Sequence, residues 1–362
     1  MIVSLTGGGD VYGPQQLRAA RLAAAEINRQ GGIGGRELQL EAVDDRSSPA
    51  EGRRLMRSLI EAHRVVAVIG PTLSVVAVAA DPVADALRTP VLAVSNTAGG
   101  IVGRCAYPCR WVWRDSLGEA TAVPANIADF LSANHTTRAA ILETTPDVLG
   151  ADEAALAKRS FGAAGVAISG DFVIPDSAGA VPAAVTQALA SRPDALFIAT
   201  TYGAIAAQAM REARAAGFRG TFLGGSAFNS ASTGEAAGRS SAGALSGSAW
   251  YSGNDFPANA SFVAAYTNAT GEQPDQFAAQ AYTGVEIIAQ ALHAAGVAHV
   301  ASGLAEQRRR VQEALGGVAL TTPLGPFRFT RDHDVDQIVW IRAMNGRGGS
   351  TLAGFCDPGC AG

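Results

Sequence analysis

The stretch VVAVIGPTLSVVAVAADPVADALRTPVLAVSNT, residues 65–97, limits the possible folds more than any other. VVAVIG is a short apolar run, mostly β-branched, closed by Gly70 and Pro71. That is the pattern of a strand buried on both faces and ended by a turn. TPVLAVS, residues 89–95, is a second such run, and the Ala-rich segment between them, residues 74–87, opens with Ser74, a residue suited to cap a helix. Strand, helix and strand make one parallel crossover. Both strands deliver hydroxyls at their carboxyl ends, Thr72 and Ser74 after the first, Ser95 and Thr97 after the second. In open α/β sheets that edge holds ligands, and unpaired amides at the following helix starts favour a carboxylate or phosphate. The competing reading is that Ser74 and Thr97 only cap helices.

The rest of the chain repeats the alternation. Residues 1–5 read as a strand, TGGGDVYG as a loop and residues 14–29 as a helix opened by Pro14. Gly7, Gly9 and Gly13 are spaced one residue too widely for a dinucleotide-binding turn. ELQLEAVDD, residues 37–45, alternates as a half-exposed strand does, with Asp44 and Asp45 read as its solvated end because no further cation ligands adjoin them. Residues 49–63 form an amphipathic helix. RWVWRD, residues 110–115, reads as a strand leaving the first lobe. Strands at 139–142, 167–174, 195–200 and 221–225 then alternate with helices at 119–134, 151–164, 181–190 and 204–216, a second doubly wound sheet. The Gly/Ser-rich residues 240–252 pass back through a hinge. Helices follow at 262–270, 277–295 and 304–315, with the arginines at 308–310 read as a solvated face. GPFRFT and DQIVWIRAMN are expected to pair as a hairpin turning at 331–334 and closing the second sheet. The expected class is α/β, with two doubly wound Rossmann-like lobes.

With 362 residues the chain can bury two cores, and 17% charged residues with a net charge of -4 exclude a disordered or nucleic-acid-binding chain. Only Lys158 among the 28 basic residues is a lysine. Asp81 and Asp85 interrupt the longest apolar run, so the sequence as given does not span a membrane. Met1 leads straight into a core strand without a basic leader or cleavage site, which reads as a trimmed mature domain. Cys105 with Cys109 and Cys356 with Cys360 form two close pairs, each bent by a proline. An even count suits two local disulfides in an oxidising compartment; a zinc site of four thiolates and free thiols are the alternatives. GGSAF at 224–228 misses the last glycine of a nucleophile elbow. None of the five histidines stands at the carboxyl end of a strand, and no Walker loop is present. The expectation is a binding protein without a cofactor.

In order, LTGGGDVYG, AAAEINRQGGIGGRELQLEAVDDRSSP, VAVIGPTLS, TPVLAVSNTA and AYTGVEIIAQAL resemble the type I periplasmic binding proteins, specifically the leucine/isoleucine/valine-binding branch of ABC transporter substrate-binding proteins. The resemblance covers almost the whole chain. It implies two lobes joined by three crossovers and closing over a ligand, the N-terminal lobe formed by 1–117 plus 245–321 and the C-terminal lobe by 118–244 plus 322–362. It makes Ser74 the carboxylate-binding serine, with Ser95, Asn96 and Thr97 completing that site and Tyr12 lining the cleft. With Thr72, Leu73, Leu149, Tyr202, Ser226 and Ala279 these are the expected ligand contacts. Tyr202 matches the family pattern, whereas Leu149 and Ala279 replace aromatics and Ser226 replaces the acid that pairs with an amino acid's ammonium. A buried ammonium without a counter-charge is costly, so either Asp10, Glu143 or Asp147 reaches in or the ligand has no ammonium. The implied function is an extracytoplasmic receptor, periplasmic or lipid-anchored at the cell surface. It captures a branched-chain-type amino acid or related organic acid and delivers it to an ABC permease. The alternative is the sensing domain of a larger signalling receptor.

Overall fold

The computed structural model describes residues 1–175, 178–299 and 303–358. Two compact units emerge, the first comprising Met1–Asn96, Gly100–Leu117 and Ser252–Gln337, the second Thr97–Gly99, Gly118–Tyr251 and Ile338–Gly362. The chain runs β1 (Ile2–Val3), α1 (Gly13–Arg29), β2 (Val43–Asp44), α2 (Pro49–Glu61), β3 (Val68–Ile69), α3 (Ser74–Ala86), β4 (Val91–Ala93) and β5 (Val112–Arg114) in the first unit. It continues through α4 (Glu119–Ala133), β6 (Arg138–Thr145), α5 (Val148–Ala163), β7 (Ala167–Pro175), α6 (Val181–Ala190), β8 (Ala195–Ala199), α7 (Gly203–Ala215), β9 (Thr221–Gly224), α8 (Ala231–Ala237) and β10 (Leu245–Ser248) in the second. The first unit is completed by α9 (Pro257–Thr270), α10 (Gln276–Ala294), α11 (Leu304–Leu315), β11 (Ala319–Thr322) and β12 (Gly325–Arg328), and the second by β13 (Val339–Met344) and β14 (Ser350–Cys356). No helix among the described residues is long and apolar enough to cross a membrane.

In the first unit β1 pairs with β2 and β3-β4-β5 form a second ladder, all parallel. Val68, Val91 and Val112 from the strands meet Met56 and Leu59 of α2 and Ala77, Ala80 and Ala84 of α3. The alanines let α3 lie close on the sheet, where larger side chains would hold it off. The second unit is a seven-stranded sheet ordered β14-β13-β10-β9-β8-β6-β7, with β13 and β14 antiparallel and the rest parallel. Strand alternation divides β8 between two layers. Ala195, Phe197 and Ala199 pack with Val123, Phe130 and Phe161 of α4 and α5, while Leu196 and Ile198 pack with Val185 of α6 and Met210 of α7.

Several sequence expectations change. Ser74 is the first helical residue of α3, because Leu73 holds the extended backbone of the capping position. The returns between units fall after Tyr251 and after Gln337, not at 245 and 321. The reason is that β10 pairs with β9 and β13, while β11 closes on β12. That hairpin turns at residues 322–325, where Gly325 takes φ +104° and the Thr322 hydroxyl accepts the Leu324 N–H. The terminal hairpin is therefore β13 with β14, turned by Gly346 and Gly348 at positive φ, with Asn345 Oδ1 accepting the N–H groups of Arg347 and Gly349. Arg308 is not on a solvated face: it is buried and donates to the carbonyls of Ile60 and Val65, fastening α11 to the end of α2. Asp45 is likewise buried and accepts from the Ser4 hydroxyl at 2.6 Å, joining the ends of β1 and β2. Cys105 and Cys109 are disulfide-bonded. The second expected pair, Cys356 with Cys360, falls partly outside the described residues because Cys360 is not among them.

Candidate functional site

At the carboxyl edge of the first unit's strands lies a closed ring of hydrogen bonds. The Thr72 hydroxyl donates to Gln16 Oε1 at 2.7 Å, Gln16 Nε2 donates to Ser95 Oγ at 2.7 Å, and Ser95 Oγ donates to the Thr72 carbonyl at 2.6 Å. Two further bonds lock the ring: the Ser4 N–H donates to Thr72 Oγ1 at 3.0 Å, and Asn96 Nδ2 to the Thr72 carbonyl at 3.2 Å. The hydroxyls of Thr72 and Ser95 are thereby committed to holding the ends of β3 and β4 against α1. Residues 72–74 enter α3 from this fixed point, and the first turn of α3 carries no acid. No acidic side chain in that turn offsets the positive end of the helix dipole, which favours an anion there.

Around it, Tyr12 precedes α1 and lies 4.5 Å from the ring of Phe277, and both pack with Leu73 and Val76. Ala279 is fully buried in α10. The aromatic facing Tyr12 is thus Phe277, two residues before the position where the family pattern places one. Asn96 is fully buried, and its carbonyl accepts from Arg114 at 3.4 Å and from the Ser116 hydroxyl at 3.3 Å. Arg114 forms an ion pair with Asp334, so its charge is matched.

The second unit's edge is acidic. Thr97 Oγ1 donates to Glu119 Oε1 at 3.0 Å, the Ser226 N–H donates to the same oxygen at 3.0 Å, and the Thr97 and Ser226 hydroxyls lie 3.4 Å apart. Glu153 accepts the Thr200 N–H at 3.0 Å, and Asp147 accepts from the Leu149 N–H and from Thr201. Burial pushes the Glu119 carboxyl up to about 7, and burial with the neighbouring Glu119 pushes Glu153 well above its usual range. Leu149 is buried in the first turn of α5, and Tyr202 precedes α7, half-buried against the layer of α6 and α7. Of the three acids considered from sequence as counter-charges, Asp147 is engaged with Leu149 and Thr201, Glu143 lies 3.8 Å from Lys158, and Asp10 is exposed. The acid beside Ser226 is Glu119, which sequence reasoning missed, as it missed Gln16 and Glu153. The available signals were a glutamine on a buried Ala-rich helix face and a glutamate at a helix start.

Two α/β units, each presenting hydroxyls and helix starts at the carboxyl edge of its parallel strands, make up the chain. The profile of the periplasmic binding protein family matches residues 1–349, and the chain belongs to that family. It is similar to a Leu/Ile/Val-binding protein of Rhizobium johnstonii, 37% identical over 99 residues, and to an amino acid binding protein of Pseudomonas aeruginosa, 32% identical over 80 residues. These matches span 27% and 22% of this chain and only 26% and 21% of the relatives. Among solved structures, a leucine-binding protein from Thermotoga maritima shares the fold with TM-score 0.87 at 20% identity, covering 99% of this chain and 97% of the other. A branched-chain amino acid transporter substrate-binding protein from Streptococcus pneumoniae in complex with isoleucine gives 0.85 at 22%, covering 98% and 97%. A solute-binding protein from R. palustris in complex with benzoate gives 0.87 at 22%, covering 99% and 95%. The family and these structures are solute-binding proteins.

Proposed function

We propose that the chain is an extracytoplasmic receptor that captures a small carboxylate-bearing ligand by lobe closure and delivers it to an ABC permease. The carrying observation is the ring of Thr72, Gln16 and Ser95, which fixes residues 72–74 at a helix start without an acid. Such a start takes a carboxylate without moving, so little ordering opposes binding. Isoleucine and benzoate, held by two of the similar structures, share only the carboxylate, which is the group this reading assigns to the first unit. In it Leu73 and Ser74 meet the carboxylate, Tyr12 and Phe277 cover the apolar part, Thr72, Ser95 and Asn96 hold the frame, and Thr97, Leu149, Tyr202 and Ser226 form the second unit's contribution. Membership of the periplasmic binding protein family supports placing the protein outside the cytoplasm.

The test is a thermal-shift screen of amino acids and of aliphatic and aromatic carboxylates against the purified chain. A ligand at about a hundred times its Kd stabilises by about 2.7 kcal/mol, a readily visible shift. A panel in which amines and sugars shift the transition and no carboxylate does contradicts the reading.

A further inference from the structure

One face of the first unit's sheet carries a buried polar cluster that ligand capture leaves unused. The register sets Leu92 beside Trp113 and Ala93 beside Arg114, and the Asp115 N–H continues the ladder by donating to the Ala93 carbonyl at 3.1 Å. α10 covers this part of the sheet. A methyl group on Gly284 would stand 2.6 Å from Val94 Cγ1, 3.3 Å from Asp115 Oδ2 and 3.5 Å from Leu92 Cδ2, so Asp115 points at the helix. Gln280 precedes Gly284 by one turn on that side of α10, toward the end where Phe277 meets Tyr12, and Thr283 flanks both. Asp115, Gln280, Thr283 and the nearby Asn96 are all fully buried.

These side chains do not satisfy one another. Among the described residues, neither carboxyl oxygen of Asp115 has a hydrogen-bond partner, and the same holds for both polar atoms of the Gln280 amide, for Thr283 Oγ1 and for Asn96 Oδ1. The Asn96 amide is fixed the right way round, because its Nδ2 donates to the Thr72 carbonyl. Its backbone carbonyl accepts from Ser116, the neighbour of Asp115. The adjacent Arg114 pairs with Asp334 instead. An ionised carboxylate sealed in such a place is costly without a counter-charge. Around it stand neutral amide and hydroxyl oxygens, hard donors with lone pairs to offer. A single carboxylate balances a single positive charge; calcium sites use more acidic ligands, and a divalent ion here would leave an excess charge buried.

We propose that Asp115, with Gln280 Oε1, Thr283 Oγ1 and Asn96 Oδ1, binds a small monovalent metal cation, sodium or potassium, between α10 and the ends of β4 and β5. The ion fastens α10 to the sheet and, through Asn96, to the ring of Thr72, Gln16 and Ser95. It goes beyond the receptor reading and does not depend on which organic ligand the chain takes.

The experiment is thermal unfolding of the chain without organic ligand, in sodium, potassium, calcium and N-methylglucamine chlorides at one constant ionic strength, on the wild type, Asp115→Asn and Gln280→Met. Exchanging N-methylglucamine for sodium or potassium raises the wild-type transition by at least about 2 °C, in proportion to the logarithm of the cation concentration near saturation, as binding to the folded state alone requires. The more effective of the two ions identifies the occupant. Asp115→Asn loses the rise. Gln280→Met keeps the volume and removes one donor, so it needs at least about tenfold more salt for the same rise, the cost of one hydrogen-bonding partner to a charged group. This variant carries the test by itself where Asp115→Asn does not fold. Equal transitions in N-methylglucamine and both alkali chlorides, a response to calcium alone, or the full rise kept in Asp115→Asn or Gln280→Met overturns the inference. With no organic ligand present, each of these outcomes leaves the receptor reading as it was.

Discussion

The two units build the same kind of edge, parallel strands running into helix starts, and give it opposite chemistry. In the first unit α3 begins without an acid and is held by neutral partners, Thr72, Gln16, Ser95 and Asn96. In the second, α4 begins with Glu119, α5 is capped by Asp147, and Glu153 lies fully buried among them. A helix start with no acid leaves its positive end for an incoming anion, whereas one with its own carboxylate is already satisfied. The fold sets where the edges are, and a handful of first-turn residues sets the charge at each.

The comparison can be broken most severely at Gly225. Gly225→Ala drives a methyl group against the buried Glu153 carboxyl and should destabilise the second unit by about 1–3 kcal/mol, the range of overpacking defects. Chemical denaturation should show it, and a loss below about 1 kcal/mol would mean the carboxyls move aside freely. In the first unit, Gln16→Ala leaves the Thr72 and Ser95 hydroxyls each short of a buried partner. A loss of about 1–3 kcal/mol is expected, together with weaker carboxylate binding. Unchanged affinity in a folded Gln16→Ala protein would show that the ring does not shape the site.

The pH response separates the two edges more finely. Folded-state carboxyls at Glu119 (about 7) and Glu153 (well above its usual range) bind protons that the unfolded chain has released. Their contribution is therefore fully present below the ordinary carboxylate range, and Glu119's is lost as pH rises toward 7. Glu286 of α10, pushed up to about 8 by burial, adds a fall of the same sign in the first unit. Unfolding measured from pH 5 to 8 should thus show declining stability, with a shallower decline in Glu153→Gln and the wild-type slope kept in Ser74→Ala. A rising curve would reverse the sign of the argument. The smallest effect is expected for Ser74→Ala on this pH slope, because a serine hydroxyl does not titrate between pH 5 and 8.

Much of the scaffold was legible because it is written locally. The runs at β3 and β4 are β-branched and bounded by Gly, Pro and Ser, and β8 is apolar at every position because both faces are covered. What was illegible depends on partners far along the chain. Gln16 looks like an ordinary polar residue on a helix until Thr72 and Ser95 close on it, and Arg308 looks solvated until the carbonyls after α2 meet it. Glu119 reads as a routine acid at a helix start, and nothing in its neighbours reveals that Glu153 faces the same glycine. The order of the terminal strands was misjudged because β12 pairs with β11 across a tight turn ending at Gly325, and the turn at 331–334 carries only the isolated bridge between Phe329 and Val335.

The most direct test is titration of the wild type and the Ser74→Ala, Thr97→Ala double variant with the same best-binding carboxylate, following the transition temperature. The account predicts a concentration-dependent rise for the wild type and none for the double variant, each measured against its own ligand-free transition, which in the double variant is lowered by loss of the Thr97 donor to Glu119. A double variant that keeps the full rise would contradict it, because the edges bearing Ser74 and Thr97 would then not hold the ligand.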